Sequence, residues 1–341
     1  MKLFFPTLVL SVIGLIVLNV SFVLINLIFW GLNGVDHVIK GDNFVEVIYY
    51  SEYLKWILIG DIIWVIGLFA FLISRRHYKT DLELHYLTTK KIEEPKVCVI
   101  IPTFNEEQVI KEVLTSYSNQ QNIEKIIVID NNSTDKTVEI AKSFGVNIIE
   151  KTKNKGLADS VIQGLIQFLE TSSNIVVITE CDGTFSAEDL SKMIPYLDNC
   201  DMVVGTRQIQ VLTEKGNQNS MFYVWGNYLL AKLIQIKYFS LTNMGIVELT
   251  DVGCLYRCIR RDALEKIKKE LSGLDAERIM RNPNSGLIAN FLTMISIENN
   301  LRIVEVPITF KNRIGTSKTG ANKKNKAIVY GLRFFWYIIT K

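Results

Sequence analysis

The sequence has almost no excess of charge of either sign. Its 38 lysines and arginines against 35 aspartates and glutamates leave a net charge of +3. That is too mild for a nucleic-acid partner, which calls for a dense basic face. Cysteine is sparse: Cys98, Cys181, Cys200, Cys254 and Cys258 are scattered and odd in number. Cys254 and Cys258 have the spacing of one helix face, but no second pair completes a zinc site, so buried free thiols in a reducing compartment are expected. No internal repeat or low-complexity tract is present, which excludes repeat arrays and compositionally biased segments. Charge is also missing locally: none lies between Lys2 and Asp36.

A second apolar run, Trp56–Ser74, holds a single charge, Asp61. Crossing ~30 Å of hydrocarbon takes a helix of about 20 residues, and both runs are long enough. The first is too long for the apolar region of a signal peptide and has no clear small-x-small cleavage site before Asn33. A two-span anchor over residues 1–76 is therefore predicted. The connecting segment carries Asp36, Lys40, Asp42, Glu46, Glu52 and Lys55, an acidic balance, while Arg75, Arg76, His77 and Lys79 follow the second run. The positive-inside rule then places the rest of the chain in the cytoplasm, on a cell or endoplasmic-reticulum-type membrane, as a multi-pass protein. Asp61 is expected to snorkel or to pair near the interface.

Residues 77–95 are mixed and charged and end at Pro95, a plausible linker. Beyond it, apolar runs alternate with helical periods. Strands are expected at Val97–Ile101 (stopped by Pro102), Ile126–Ile129, Val146–Ile149 and Ile175–Thr179. Helices are expected at Glu106–Ser118, Asp135–Phe144 and Gly156–Glu170. Such alternation implies an α/β domain with a mostly parallel sheet flanked by helices, and ligands in such sheets bind beyond the carboxyl ends of the strands.

Each of those ends carries a polar loop. Pro102-Thr103-Phe104-Asn105-Glu106-Glu107 reads by itself as a helix start capped by Asn105. Asp130-Asn131-Asn132-Ser133-Thr134-Asp135 suits a turn and also offers acceptors to a nucleobase and ribose. Asn154-Lys155-Gly156 opens a helix where backbone N–H groups can approach an anion. After the fourth strand comes Thr179-Glu180-Cys181-Asp182-Gly183-Thr184-Phe185. Two carboxylates one residue apart at a sheet edge suit a divalent cation with a diphosphate.

In order and spacing, I-I-P-T-F-N-E-E, I-V-I-D-N-N-S-T-D-K-T, N-K-G-L-A-D-S-V and T-E-C-D-G-T-F-S-A-E-D-L resemble the family 2 glycosyltransferases of GT-A fold. The likeness continues in V-V-G-T-R (203–207), D-V-G-C-L-Y-R (251–257) and R-I-V-E-V-P-I-T-F-K-N-R-I-G-T-S-K (302–318), and is similar to the dolichyl- and polyprenyl-phosphate sugar synthase branch. The resemblance implies a Rossmann-like GT-A domain over 96–320 and inverting transfer of a sugar from a UDP- or GDP-sugar to a polyprenyl or dolichyl phosphate. It implies that Pro102, Phe104, Glu106, Asp130, Asn131, Lys155 and Cys181 line the nucleotide site. Glu180, Asp182 and Thr184 would hold Mg²⁺ or Mn²⁺. Arg207, Arg313, Ser317 and Lys318 would meet the acceptor or diphosphate. Asp182, Arg207 and Asp251 form the expected catalytic set, with Asp251 as the base if the acceptor is instead a glycolipid hydroxyl.

The chain departs from the mannose synthases of that branch at Ser220 and Val224, where no second phosphate-binding arginine stands. It departs again at Asn290 or Phe291, where relatives carry an acid. It lacks the Q-x-x-R-W motif of processive polysaccharide synthases. An inactive membrane scaffold of the same fold is the reading outside enzymes. Residues 321–341, with Lys323, Lys324 and Lys326 ahead of an aromatic run, are expected to form an amphipathic helix in the membrane interface.

Overall fold

A computed structural model of the protein describes residues 4–32, 36, 39–41, 43–49, 51–74, 89–215, 220–238, 248–281, 286–315 and 324–341. The chain divides into two compact units: residues 1–76 with 339–341, and residues 77–338.

In the first unit, helices α1 (Phe4–Leu32) and α2 (Glu52–Ser74) are, among the described residues, the two elements long and apolar enough to cross a membrane. Most of their large apolar side chains are exposed. Their polar groups meet each other. Asn19 Nδ2 on α1 donates to Asp61 Oδ1 on α2 at 3.2 Å, and Trp64 Nε1 donates to the Leu8 carbonyl at 2.9 Å. Asp61 thus has a partner on the neighbouring helix, which lowers the cost of a carboxyl in an apolar run.

The second unit is built on a seven-stranded sheet of order β3-β2-β1-β4-β6-β5-β7. Its strands are β1 (Val97–Thr103), β2 (Ile123–Asp130), β3 (Asn147–Glu150), β4 (Ile175–Ile178), β5 (Met202–Thr206), β6 (Arg257–Arg260) and β7 (Ile303–Pro307). All are parallel except β6, which is antiparallel to both neighbours. Every residue of β1, β4 and β5 is buried, which matches their unbroken apolar runs and a sheet covered on both faces. Helices α3 (Ile110–Ser118), α4 (Thr137–Ser143), α5 (Leu157–Leu169), α6 (Met221–Tyr238), α7 (Ile288–Glu298) and α8 (Lys324–Thr340) belong to this region of the chain. Ile110, Val113, Leu114 and Tyr117 on α3 share one buried stripe, as their spacing dictates.

Several details differ from the sequence reading. Strand β1 does not stop at Pro102. It pairs with β2 through Thr103, but with β4 only through Ile100. The Ile100 carbonyl faces β4, accepting from Thr179 N–H at 3.2 Å. The nitrogen two residues on therefore faces the side where pairing has already ended, and a proline costs no ladder bond there. Cys254 and Cys258 do not share a helix; Cys258 is on β6 and Cys254 precedes it, and all five cysteines are buried and free.

The described part of the expected linker is tied to the second unit. Lys90 N–H donates to the Asp198 carbonyl at 2.8 Å, and Arg260 Nη1 donates to the Lys90 carbonyl at 2.8 Å. Helix α8 exposes Ile328, Val329, Leu332 and Trp336 on one edge. It buries Tyr337 and Ile338 in the core of the unit, where the Ile338 carbonyl accepts from Lys237 Nζ at 2.6 Å.

Candidate active site

The topology gathers the polar segments at one edge. The ends of parallel β1, β2, β4, β5 and β7 all point there, and antiparallel β6 brings there the segment that precedes it, Asp251–Gly253.

The β1 and β2 loops are laced together. Asn105, at φ 54°, accepts through Oδ1 from Thr134 N–H at 2.8 Å, and its own N–H donates to Ser133 Oγ at 2.9 Å. Glu106 N–H donates to Thr137 Oγ1 at 2.8 Å. Asn105 therefore staples one loop to the next rather than capping α3, which begins after Val109 with no side-chain cap. Pro102 is buried in β1, and Phe104 and Glu106 are half-buried beyond it. Asp130 is buried, with Oδ2 accepting from Ser133 N–H at 3.0 Å and Oδ1 without a protein partner. Asn131 is engaged differently. Its Nδ2 donates to Asn154 Oδ1 at 2.7 Å, and its Oδ1 accepts from Lys155 N–H at 2.9 Å. It braces the third loop, whereas Asp130 keeps an open acceptor. The Lys155 side chain is exposed beside Gly156, whose φ of 86° starts α5.

The acid pair sits at the end of β4. Asp182 is buried, and Thr184 donates both its N–H (3.0 Å) and its hydroxyl (2.6 Å) to Asp182 Oδ1. Thr184 thus orients the aspartate and leaves Oδ2 as the outward oxygen. Gly183 has φ 75°, a conformation that favours glycine, and a Cβ there would meet Ile314 and Val109 side chains at 3.1 Å. Cys181 is buried in the core between the two acids. Glu180 is partly exposed, yet loss of hydration around its carboxyl and then the charge of Asp182 push it above the usual carboxylate range, against the opposing pull of Arg313 and Arg207.

Arg313 lies over the pair. Its Nη2 forms an ion pair with Asp182 Oδ2 and stands 3.7 Å from Glu180 Oε2, while Nη1 is 4.0 Å from Glu106 Oε1. The place between the carboxylates is one that favours a positive charge. A divalent cation suits the same donors, because hard cations take oxygen ligands and Mg²⁺ usually needs only one or two carboxylates beside phosphates. Among the described residues no cluster of three or more Asp, Glu, His or Cys ligands occurs. Ser317 and Lys318 lie outside the described residues.

The second charged pair is Arg207 with Asp251. Arg207 Nε and Nη2 donate to Asp251 Oδ2 (2.6 Å) and Oδ1 (2.7 Å), a bidentate fork. The N–H groups of Arg207 (3.2 Å) and Gly253 (3.0 Å) add to the same carboxylate. Burial alone would raise this carboxyl, but the charge and hydrogen bonds of Arg207 outweigh it and hold Asp251 below the usual carboxylate range. Such a group is a poor proton acceptor near neutral pH.

Two contributors went unread in the sequence. Glu305 on β7 accepts from Thr250 and Asp251 N–H groups (2.9 and 3.1 Å) and so positions the aspartate. Asn227, inside the W-G-N-Y-L-L stretch of α6, lies with Arg207 and Asp251 beside Gly253. Glu305 lies in the R-I-V-E-V-P-I stretch, but its role and that of Asn227 follow only from the packing of distant elements.

A seven-stranded, mostly parallel sheet with carboxylates and guanidinium groups collected at its carboxyl edge agrees with the GT-A fold expected from the sequence. The family model for glycosyl transferase family 2 matches residues 98–268, half of the chain, and the protein belongs to that family. The chain is 28% identical over 250 residues to polyprenol monophosphomannose synthase of Mycolicibacterium smegmatis, covering 70% of this chain and 88% of that enzyme. It is 28% identical over 262 residues to the UDP-N-acetylglucosamine–dolichyl-phosphate N-acetylglucosaminyltransferase of Methanococcus voltae, covering 71% and 94%. Among solved structures, it is similar to glucosyl-3-phosphoglycerate synthase of Mycobacterium tuberculosis with Mn²⁺, UDP and glucosyl-3-phosphoglycerate. That likeness has TM-score 0.48 and 16% identity over 74% of this chain and 87% of the other.

Proposed function

We propose that the protein is a membrane-anchored, inverting glycosyltransferase. It moves a sugar from a UDP- or GDP-sugar to a polyprenyl or dolichyl phosphate at the cytoplasmic face of the membrane. The observation that carries this reading is the state of Asp251. Both of its oxygens are engaged by Arg207 and its carboxyl is held ionised, so it is unsuited to deprotonate a sugar hydroxyl. A phosphate acceptor arrives already anionic and needs no strong base. The names of the Mycolicibacterium and Methanococcus relatives, both enzymes of polyprenol or dolichyl phosphate, agree with it.

In this reading the nucleoside lies over Pro102 and Phe104, and the open Oδ1 of Asp130 accepts from the base. Asp182, oriented by Thr184, and Glu180 would hold Mg²⁺ or Mn²⁺, which supplies Lewis-acid stabilisation of the departing diphosphate. Arg207 keeps its Nη1 edge for the acceptor phosphate while Asp251 fixes the other edge. The two apolar helices hold the enzyme at the bilayer where its acceptor resides.

A donor panel tests this directly: purified full-length protein with polyprenyl phosphate, Mg²⁺ or Mn²⁺, and each common UDP- and GDP-sugar. The expected result is one chelator-sensitive, lipid-linked product of inverted anomeric configuration. Product formed only on a glycolipid hydroxyl, or none with any donor, overturns it.

A further inference from the structure

Arg313 differs from an ordinary loop arginine in what it touches and in how its backbone is held. Its guanidinium contacts Asp182 through Oδ2, the oxygen that Thr184 leaves open, and reaches toward Glu180 and Glu106 as well. Three carboxylates from the ends of two strands thus share one cation. The main chain on either side of it is fixed against the acid-bearing segment. Lys311 N–H donates to the Thr184 carbonyl at 2.8 Å, Ile314 N–H donates to the Asp182 carbonyl at 3.0 Å, and Phe310 bridges to Phe185. The side chain is 29% exposed and meets Asp182 through Nη2. The backbone is pinned while the side chain is partly exposed, so a change of side-chain torsions alone would carry the charge off the carboxylates without any loop moving.

We propose that Arg313 is the built-in countercharge of the acid pair and competes with the divalent cation for Asp182 Oδ2. This rests on the metal–diphosphate reading above. The metal takes that oxygen only when the guanidinium leaves, and the displaced guanidinium pairs with the diphosphate that arrives with the metal. Metal alone therefore binds weakly, because the competent state of the site is mostly masked. Metal and nucleotide bind as a cooperative unit, and each raises the affinity for the other by the same factor.

The test is Mn²⁺ binding to full-length protein in detergent, read from the electron paramagnetic resonance signal of free Mn²⁺, alone and with UDP or GDP. Thermal melting first verifies that each variant is folded. Wild type binds Mn²⁺ weakly alone and more tightly with one of the two nucleotides. If the guanidinium masks the site about nine-tenths of the time, Arg313→Gln tightens Mn²⁺ binding alone by about tenfold and shrinks the nucleotide effect by a similar factor. Arg313→Lys, which keeps the charge without the fork, falls between. Equal Mn²⁺ affinity in wild type and Arg313→Gln, or weaker binding in the variant, overturns the competition while leaving the metal reading intact. No Mn²⁺ binding to either protein, with or without nucleotide, overturns both.

Discussion

The site contains two arginine–aspartate pairs, and they are built to opposite ends. Arg207 and Asp251 meet through two parallel hydrogen bonds, with side-chain exposures of 15% and 0%. Two backbone N–H groups complete the carboxylate and Glu305 anchors the chain behind it. Arg313 meets Asp182 through Nη2, shares itself among three acids, and is 29% exposed. The first pair is a fixed part of the framework: removing one partner would strand a buried charge. The second is the looser pair, and in the proposal above its guanidinium is a placeholder over donors that suit a metal. The lesson is that the same two residue types serve as structure or as a displaceable charge according to how many other hydrogen bonds hold them.

The strongest way to break the comparison is at Asp182. Asp182→Asn keeps the shape and removes the charge that both Arg313 and a metal need, so sugar transfer should fall by about 10²–10³ or more while the melting temperature changes little. An equal and large loss of stability would mean that this pair is framework too.

Asp251→Asn is the converse. It leaves the Arg207 guanidinium without its counterion and should cost about 3 kcal/mol of stability in urea titration. Because the Asp251 carboxyl is held below its ordinary value, its contribution is present at neutral pH and fades as the pH falls below about 4. The variant should lack that part of the acid dependence. The double variant Arg207→Gln with Asp251→Asn should recover stability but not activity.

Glu180→Asp sharpens the metal side. The shorter stem still offers an oxygen beside Asp182, so transfer should stay within about tenfold of wild type, in contrast to Asp182→Asn. The smallest effect is expected in the unit of the two apolar helices. Asp61→Asn keeps a hydrogen-bonding partner for Asn19, and interhelical bonds of this kind average about 0.6 kcal/mol, so activity and anchoring should be unchanged in flotation and transfer assays.

Much of the framework was legible because it follows from periodicity. The helical stripe of Ile110, Val113, Leu114 and Tyr117 and the apolar runs of β1 and β4 could be read directly. The acid pair was legible because it ends such a run. What could not be read depends on neighbours. Pro102 continues β1 because β4 has already stopped pairing on that side. Asn105 looked like a cap because it precedes a helix, yet its partners lie in the loop after β2. The short R-C-I-R segment gives no sign that β6 runs antiparallel, and that reversal is what carries Asp251 to the active edge. Arg313 was readable as a basic residue near phosphates, but not as the cation resting on Asp182, a contact across 131 positions of sequence that only the fold creates.

The most direct measurement is an experimental structure of the protein with Mn²⁺ and a nucleoside diphosphate, in which both pairs are inspected at once. The account predicts Mn²⁺ on Asp182 Oδ2, Arg313 moved from the carboxylates to the diphosphate, and the Arg207–Asp251 fork unchanged. Metal bound with Arg313 still paired to Asp182, or Asp251 released from Arg207 toward the acceptor site, would contradict it.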